Sequence, residues 1–354
     1  MTKKTNKKKT KSNFKNKKLI IGLILFIFII IAIIIGFTAS SNENAFPKVK
    51  EETPQEEVKK LQIVNEDSTT RPYAIMINNL SIARPYHSGL QEAYLTYEFL
   101  VEGGITRYLA LYKDANVDRI GPVRSARHYY LDYAMENDAY YVHYGWSPQA
   151  QSDISSYSIN NINGLYYDKY FWRDNSLKVA SEHTVFTSTE KLAPAASNLK
   201  YRTETNKELL LNYSIENIDL TNSDAIVAKN VKISYTASNN TSYTYDEENQ
   251  VYLRYVNGTP HTDYVTKNQY TVKNIIIYQV SSSVIDSSGR LNLNNVGSGK
   301  GYYITNGKAI TITWEKTSRS AQTIYKDSEG KEIILNDGNT YIQIFPTNQT
   351  YTIS

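Results

Sequence analysis

The sequence predicts two folded domains, an α/β domain followed by an all-β domain, behind a single N-terminal transmembrane helix. Three observations support this fold class. Residues 19–37 form an apolar run without a charge. Strand-like and helix-like segments alternate over 71–222, which is typical of α/β domains. Short strand-like segments separated by turn signals such as Asn257-Gly258 fill 225–354, which is typical of an antiparallel sandwich or barrel.

The apolar run over 19–37 is predicted to cross the membrane. As a helix it rises about 28 Å, close to the hydrocarbon thickness of a bilayer. The preceding arm, residues 1–18, carries nine lysines and no acidic residue. It should therefore stay in the cytoplasm and leave the rest of the chain outside, with the membrane as one partner. A cleaved signal peptide is the alternative, because small residues follow the run at 38–41.

Charge and composition limit what the folded part can do. The polar segment 38–70 predicts an extracytoplasmic linker. Of 39 basic residues nine lie in the arm, which leaves 30 against 35 acidic residues in the remainder. Because that balance offers no concentrated basic face, a nucleic-acid partner is not expected. The sequence contains no cysteine and five histidines, so neither disulfides nor a metal site nor a cofactor is predicted.

A β-hairpin carries the first candidate residues of the α/β domain. Two alternating runs, 95–102 and 105–113, are joined by Gly103-Gly104, a strong signal for a hairpin with a two-residue turn. Alternation along the two strands then decides which side chains share a face. The polar side chains placed together on one face are Glu98, Glu102 and Arg107.

Two helices follow the hairpin in the predicted order. Gly121-Pro122 predicts the start of a helix that runs to about residue 136, with proline at its first position. That helix would present Arg124, Arg127 and His128 on one face, at spacing i, i+3, i+4. A strand over 140–144 contains His143 and leads to a second helix, for which Ser147 is the predicted N-cap.

These basic side chains beside two helix N-termini are typical of an anion site. Free backbone N–H groups and guanidinium groups both suit a phosphate or a carboxylate. Glu98 or Glu102 would then be the candidate acid or base, with His143 as a further candidate. The alternative is structural, because Glu98 and Arg107 could form a cross-strand ion pair and the other arginines could dock against acids.

Four segments of the first domain closely resemble the N-terminal domain of the YerB-like bacterial envelope proteins. They are RPYAIMINN (71–79), ARPYHSGLQEAYLTYEFLVEGGITRYLALY (83–112), IGPVRSARHYYLDYA (120–134) and HYGWSPQA (143–150). Four later segments resemble the C-terminal domain of that family. They are NGTPHTDYVT (257–266), KNIIIYQV (273–280), GSGKGYYITNGKAITITWEK (297–316) and DGNTYIQI (337–344).

The resemblance implies a three-layer α/β domain with a mixed sheet, followed by a β-rich domain, and it names no reaction. Its signature positions add Arg84 and Ser147 to the candidate ligand-binding residues Arg107, Arg124 and Arg127. Two departures from the family pattern stand out. Members are typically lipoproteins, whereas this chain offers an apolar span instead of a lipid-bearing cysteine. Gly145-Trp146 also replaces the usual Gly-Gly pair before Ser-Pro.

Three functions remain open from the sequence. The first is a membrane-anchored binding or accessory protein of the cell envelope that holds an anionic cell-wall glycan, a wall precursor or another envelope protein. The second is a hydrolase or transferase acting on envelope polymers, with Glu98 or Glu102 as acid or base. The third is a structural scaffold. A solvent-filled cleft at Glu98 and Arg124 would favour the first two, and closed ion pairs would favour the third.

Overall fold

The computed structural model describes residues 59–221 and 224–354, which are mostly β with few helices. The predicted arm (1–18), the predicted span (19–37) and most of the predicted linker lie outside the described residues. Among the helices of the described part, none is both long enough and apolar enough to cross a membrane.

The strands of the first half precede the two undescribed residues 222–223. They are β1 (Tyr73–Asn78), β2 (Leu95–Leu100), β3 (Thr106–Tyr112), β4 (Tyr140–His143), β5 (Asn161–Asn163), β6 (Trp172–Arg173), β7 (Val185–Phe186) and β8 (Asn212–Ser214). The helices of this half are short. They are α1 (Leu131–Glu136), α2 (Pro148–Ser156), α3 (Thr189–Leu192) and α4 (Ala195–Asn198), with 3-10 turns at Arg84–Tyr86, Glu102–Gly104, His128–Tyr130, Asp168–Tyr170 and Ser181–His183.

The second half consists of strands and their connections. The strands are β9 (Ile226–Val227), β10 (Asn230–Thr236), β11 (Asn239–Asp246), β12 (Val251–Val256), β13 (Thr259–Pro260), β14 (Thr271–Val272), β15 (Asn274–Val280), β16 (Ser282–Val284), β17 (Leu291–Leu293), β18 (Gly297–Thr305), β19 (Lys308–Lys316), β20 (Ile324–Lys326), β21 (Ile334–Asn336), β22 (Thr340–Pro346) and β23 (Tyr351–Ile353).

One eleven-stranded sheet joins the two halves. Its order is β20-β19-β18-β15-β22-β2-β3-β1-β4-β5, with β9 paired to β19. Strand β22 lies between β15 and β2 and runs parallel to both, so the last long strand of the chain is inserted beside the first hairpin. A second sheet of six strands has the order β13-β12-β11-β10-β23, with β14 paired to β12. Strands of both predicted domains therefore share one sheet.

Apolar side chains cover both faces of the large sheet. On one face a single core includes residues of α1 and of strands from both halves, among them Phe99, Tyr133, Tyr278 and Ile342. The other face packs in the first half against the segment around Ile120 and against α3 and α4. In the second half the same face packs against the six-stranded sheet. The sheet is thus the middle layer of the described structure.

The predicted hairpin is present, but its predicted register is wrong by one residue. Strand β2 places Glu98 opposite Tyr108 and Leu100 opposite Thr106. The connection is longer than two residues and contains the 3-10 turn Glu102–Gly104, in which both glycines have positive φ, 70° and 73°. Because successive side chains alternate between faces, a shift of one residue places Glu98 and Arg107 on opposite faces of the sheet.

The predicted helix over 121–136 is wrong in its first part. Residues of this segment form β-bridges with neighbouring chain, including Ile77 with Val123 and Ala126 with Trp146, and α-helix begins only at Leu131. Backbone N–H and C=O groups that pair across to other segments are not free to form helical bonds. Arg124 and Arg127 therefore lie on extended chain and do not share a helix face.

The prediction that Ser147 caps α2 is confirmed. Its side chain accepts a hydrogen bond from the backbone N–H of Ala150 at 3.3 Å, and Pro148 occupies the first helical turn. This contact satisfies one of the N–H groups that a helix leaves unpaired at its start. The cap fixes the position at which α2 leaves strand β4.

Glu98 forms a fully buried ion pair with Arg254 of the second half. Arg254 Nη2 lies 2.7 Å from Glu98 Oε2, and both side chains are 0% exposed. Two first-half groups also donate to the carboxylate: Thr106 Oγ1 at 2.7 Å and Asn79 Nδ2 at 3.3 Å. The pair lies between β2 and β12, so it joins the large sheet to the smaller one.

A chain of hydrogen bonds continues from Arg254 through two buried histidines. Arg254 Nη1 donates to His261 Nδ1, so the proton of the neutral His261 ring is on Nε2 and is donated to His87 Nδ1 at 2.6 Å. His87 Nε2 in turn donates to the carbonyl of Asn78. Burial lowers the pKa of His87 to about 3, and burial and the Arg254 charge lower that of His261 well below its ordinary value. Both rings are therefore neutral at pH 7.

Replacing Arg254 with methionine is expected to lower the free energy of unfolding by about 3–5 kcal/mol, because Glu98 would remain as an unpaired buried charge. Combining Arg254→Met with Glu98→Leu should recover much of that loss, because both charges are then removed. Urea unfolding of the two variants measures the difference. The control is Arg290→Met, which breaks the partly exposed ion pair of Arg290 with Asp286 and is expected to cost less than about 1 kcal/mol. A loss below about 1 kcal/mol in Arg254→Met itself would contradict this account.

Candidate functional site

The structure brings some of the predicted site residues together at the start of β3. Arg107 is buried, and its Nη1 donates to the carbonyl of Ser125 at 2.6 Å. Arg127 lies two residues further along that segment and binds both oxygens of Glu102, at 2.5 and 3.0 Å. The extended segment that follows Pro122 thus crosses the end of the hairpin and closes over Arg107.

The charges in this group are not balanced. Burial and the nearby Arg127 charge lower the pKa of Arg107 to about 10, so Arg107 is still protonated at pH 7. Burial raises the pKa of Glu102, but the hydrogen bonds and the charge of Arg127 outweigh it, and the net pKa is below its ordinary value. Two guanidinium groups therefore lie near one carboxylate, which only Arg127 contacts, and Arg107 Nε is buried without a hydrogen-bond partner.

Arg124 lies nearby on the same segment but has a different partner. Its guanidinium contacts the carbonyl and the carboxylate of Glu182, each at 3.2 Å. The two side chains are 26% and 56% exposed. An ion pair in that position contributes little to stability and is open to exchange with solvent ions.

His143 and Ser147 are fixed by structural contacts. His143 is fully buried, and its Nδ1 lies 2.8 Å from the carbonyl of Gly145, to which it donates a hydrogen bond. Burial lowers the pKa of His143 to about 4, so the ring is neutral at pH 7. The Ser147 hydroxyl is used as the helix cap. Neither side chain is presented to solvent as an acid, a base or a nucleophile.

Glu98 and Arg84 are not part of this group. Glu98 is on the opposite face of the hairpin, in the ion pair with Arg254. Arg84 donates from Nε and Nη2 to the side chain and the carbonyl of Asn79, at 3.0 Å each. The predicted hairpin face shared by Glu98, Glu102 and Arg107 therefore does not exist. The predicted helix face with Arg124, Arg127 and His128 does not exist either, because the α-helix begins only at Leu131.

A polar cleft lies between the two halves, and no pattern in the sequence predicted it. We use the name polar cleft for a cavity of about 700 Å³. One wall consists of first-half residues from the 3-10 turn His128–Tyr130, from α1 and from α2. The other wall consists of residues around β17 together with Arg319. Its polar lining residues are His128, Tyr129, Asp132, Gln149, Asp153, Asn292, Asn294, Asn295 and Arg319. This volume is in the range of small-molecule sites.

Arg319 crosses the polar cleft and connects its walls. Its Nε donates to Asp132 Oδ1 at 2.6 Å, its Nη1 to Asp153 Oδ2 at 2.7 Å and its Nη2 to the carbonyl of His128 at 2.9 Å. Burial raises the pKa of Asp132 in spite of Arg319, whereas the two carboxylates raise the pKa of Arg319 against the effect of burial. The guanidinium is therefore permanently charged and held in one orientation.

Asn295 leaves one polar atom of the polar cleft unsatisfied. The side chain is 2% exposed, and its Nδ2 donates to the carbonyl of Tyr129 at 2.9 Å and to Asp132 Oδ2 at 3.1 Å. Its Oδ1 is buried without a partner. A buried carbonyl that accepts no hydrogen bond costs about 1–3 kcal/mol, which a ligand donor could offset.

Sequence reasoning selected His128 but none of the other side chains of the polar cleft. Asp132 and Asp153 are on helices of the first half, and Arg319 follows β19 more than 160 residues later. Their proximity depends on how the halves pack, which no local spacing encodes. Within residues 59–221 and 224–354, no group of three or more acidic or histidine side chains is arranged to hold a metal ion.

Lowering the pH from 7 to 5 is expected to destabilise the fold through His143. The folded-state pKa of about 4 lies below the unfolded value of about 6.5, so the unfolded chain binds the extra proton first and stability falls as pH falls between these values. The loss from this residue is about 2 kcal/mol between pH 7 and pH 5. Urea unfolding at the two pH values measures it. His143→Gln should reduce the pH dependence, and an unchanged dependence would refute the assignment.

The comparisons with known proteins agree with the resemblance. Residues 60–202 match a family model described as "Protein of unknown function (DUF3048) N-terminal domain", and residues 231–342 match the corresponding C-terminal domain. The chain is 33% identical over 291 residues to the "Putative lipoprotein YerB" of Bacillus subtilis (strain 168), covering 80% of this chain and 84% of the relative.

A solved structure extends this similarity to the fold. The crystal structure of the YerB protein from Bacillus subtilis superposes with a TM-score of 0.69 at 30% identity, covering 80% of this chain and 94% of the solved chain. Sequence and fold therefore agree over both matched regions, and this chain belongs to the YerB-like family, whose two domains are both described as of unknown function.

Proposed function

We propose that this chain is an exported, membrane-attached binding protein of the cell envelope, and that its ligand is held in the polar cleft. The observation that supports the ligand site most directly is Asn295 Oδ1, a buried acceptor without a partner in the lining of a cavity of about 700 Å³. Polar side chains from both halves converge on this cavity. A rigid cavity with a few fixed polar groups is the usual form of a small-molecule site.

The proposed location rests on the N-terminal sequence and on the relative. Residues 19–37 are long and apolar enough to span a bilayer, and lysines precede them. The Bacillus subtilis relative is called a putative lipoprotein, so its proposed attachment is a lipid. A peptide span would place the folded part of this chain on the same side of the membrane as a lipid would place that of the relative. Protease treatment of intact protoplasts should degrade the folded part, whereas protection from the protease would contradict export.

Binding is favoured over catalysis because the candidate acids and bases are held in ion pairs with arginines. Glu98 is sealed against Arg254, and Glu102 is held as a carboxylate by Arg127. In the polar cleft, Asp132 and Asp153 both form ion pairs with Arg319, so one oxygen of each carboxylate is already bound by a group of the protein. Carboxylates held in ion pairs with guanidinium groups of the protein are suited to orienting a ligand and poorly suited to general acid–base catalysis.

Blocking the polar cleft is expected to abolish binding without changing the fold. Val296 lines the cavity and is 45% exposed, so Val296→Trp would fill the space and leave the hydrogen bonds of Asn295 and Arg319 in place. We expect at least a tenfold loss of affinity for soluble fragments of digested peptidoglycan, measured by saturation-transfer NMR and thermal shift. The matched control is Val227→Trp, at an exposed valine of β9. Equal binding by both variants and the parent would refute the proposed site.

A second candidate function is binding of an anionic group at Arg124. Three guanidinium groups, Arg107, Arg124 and Arg127, face two carboxylates, Glu102 and Glu182. The Arg124–Glu182 contact is half exposed and weak, so an external phosphate or carboxylate could replace Glu182. This excess of positive charge supports the anionic cell-wall glycan that the sequence analysis proposed as a ligand.

Arg124→Gln is expected to remove the response to a small anion. In the parent protein, titration with glycerol phosphate should shift the NMR resonances of the Trp146 indole and of Gly145, which adjoin this segment. The shifts should weaken with added salt, because exposed charges are screened. The control is Arg290→Gln, which removes a guanidinium that pairs with the partly exposed Asp286 in another part of the chain. Identical titrations of Arg124→Gln and the parent would exclude this second function.

A further inference from the structure

The donor nitrogens of Arg319, Gln149, Asn294 and Asn295 in the polar cleft each donate at least one hydrogen bond within the protein. All three nitrogen positions of Arg319 donate to first-half acceptors. The amide nitrogen of Gln149 donates to Asp153 Oδ1 at 2.7 Å, and that of Asn295 donates to Asp132 and to the Tyr129 carbonyl. Asn294 Nδ2 donates to Ser281 Oγ at 2.6 Å. For a ligand that needs donors from the cavity, these bonds leave only the second N–H of Gln149 Nε2, of Asn294 Nδ2 and of the two Arg319 Nη atoms.

The acceptors of the polar cleft, by contrast, have free capacity. Asn295 Oδ1 is buried and accepts nothing. The four carboxylate oxygens of Asp132 and Asp153 each receive one side-chain hydrogen bond, whereas a carboxylate oxygen can accept two. His128 Nε2 lies 3.0 Å from Asn292 Oδ1, to which it donates a hydrogen bond.

The net charge of the polar cleft favours the same kind of ligand as its free acceptors do. Two carboxylates, Asp132 and Asp153, surround one guanidinium, Arg319, so these three groups together carry one net negative charge. In a partly enclosed cavity this charge is screened less than at the surface, so it favours a cation and disfavours an anion. An acceptor-rich cavity of negative charge is complementary to a donor-rich cation.

We infer that the polar cleft selects a ligand that carries a protonated primary amine, placed between Asn295 Oδ1 and the carboxylates of Asp132 and Asp153. An ammonium group has three donors and no acceptor, which matches the free groups of the cavity. This inference rests on the proposed function of the polar cleft as a ligand site. A metal ion fits less well, because the described residues contain no metal-binding group and the Arg319 guanidinium lies between the two carboxylates.

Two pairs of probes test the amine directly and distinguish its possible sources. The first pair is a tetramer of glucosamine and its fully N-acetylated form, and the second is alanyl-alanine and its N-acetylated form. Acetylation removes the charge and two donors and keeps the rest of each molecule. Calorimetry with the full folded protein at pH 6 should show at least tenfold tighter binding of the free amine in one pair. The pair that responds identifies an amino sugar or a peptide amine as the source.

Each outcome of the probe experiment decides the question. Equal or tighter binding of the acetylated probes, lost in Val296→Trp, would overturn the amine inference and leave the polar cleft as a ligand site. No binding of any probe would overturn both. Asp153→Asn keeps the shape and the acceptor for Arg319 but removes one charge, so it should weaken amine binding about fivefold and leave the acetylated probe unaffected. Asp219→Asn, at an exposed partner of Lys308, is the control and should change neither.

Discussion

The buried ion pair between Glu98 and Arg254 is the interaction on which the described structure depends most. Each charge is fully enclosed, and each would be unstable in the interior without the other. Glu98 belongs to the first hairpin and Arg254 to the smaller sheet of the second half, so neither half can complete its own interior alone. The neutral rings of His261 and His87 continue the hydrogen bonds from Arg254 to the carbonyl of Asn78 in the first half.

The position of strand β22 also makes the two halves depend on each other, in this case through the large sheet. It pairs in parallel with β2 on one side and with β15 on the other, and all its residues are buried. The two family regions therefore contribute strands to one sheet, although they can be recognised separately in the sequence. The polar cleft has walls from both halves, and its shape is fixed because this sheet fixes the walls. Arg319 could not hold Asp132 and Asp153 in one geometry if the halves moved independently.

Local pattern predicted what depends on local chemistry. The alternating runs became β2 and β3, Ser147 became the cap of α2, and the family was identified from short segments. The failures occurred where distant contacts decide. Gly103-Gly104 is compatible with both a tight turn and a longer connection, and the choice between them moved Glu98 to the other face. Pro122 suits the first turn of a helix, but its neighbours pair with Ile77 and Trp146 instead.

The same distinction explains why the candidate site changed its chemical character. Arginine in a sequence indicates an anion site only if its donors face a ligand, and here Arg127 and Arg319 direct their donors to carboxylates of the protein. A guanidinium used in this way orients the carboxylates and leaves their remaining lone pairs as the exposed groups. The polar cleft contains an arginine and is nevertheless an acceptor site. Asn295 Oδ1 is the acceptor that the fold leaves unsatisfied, and a hydrogen bond from the proposed ligand amine would offset that cost.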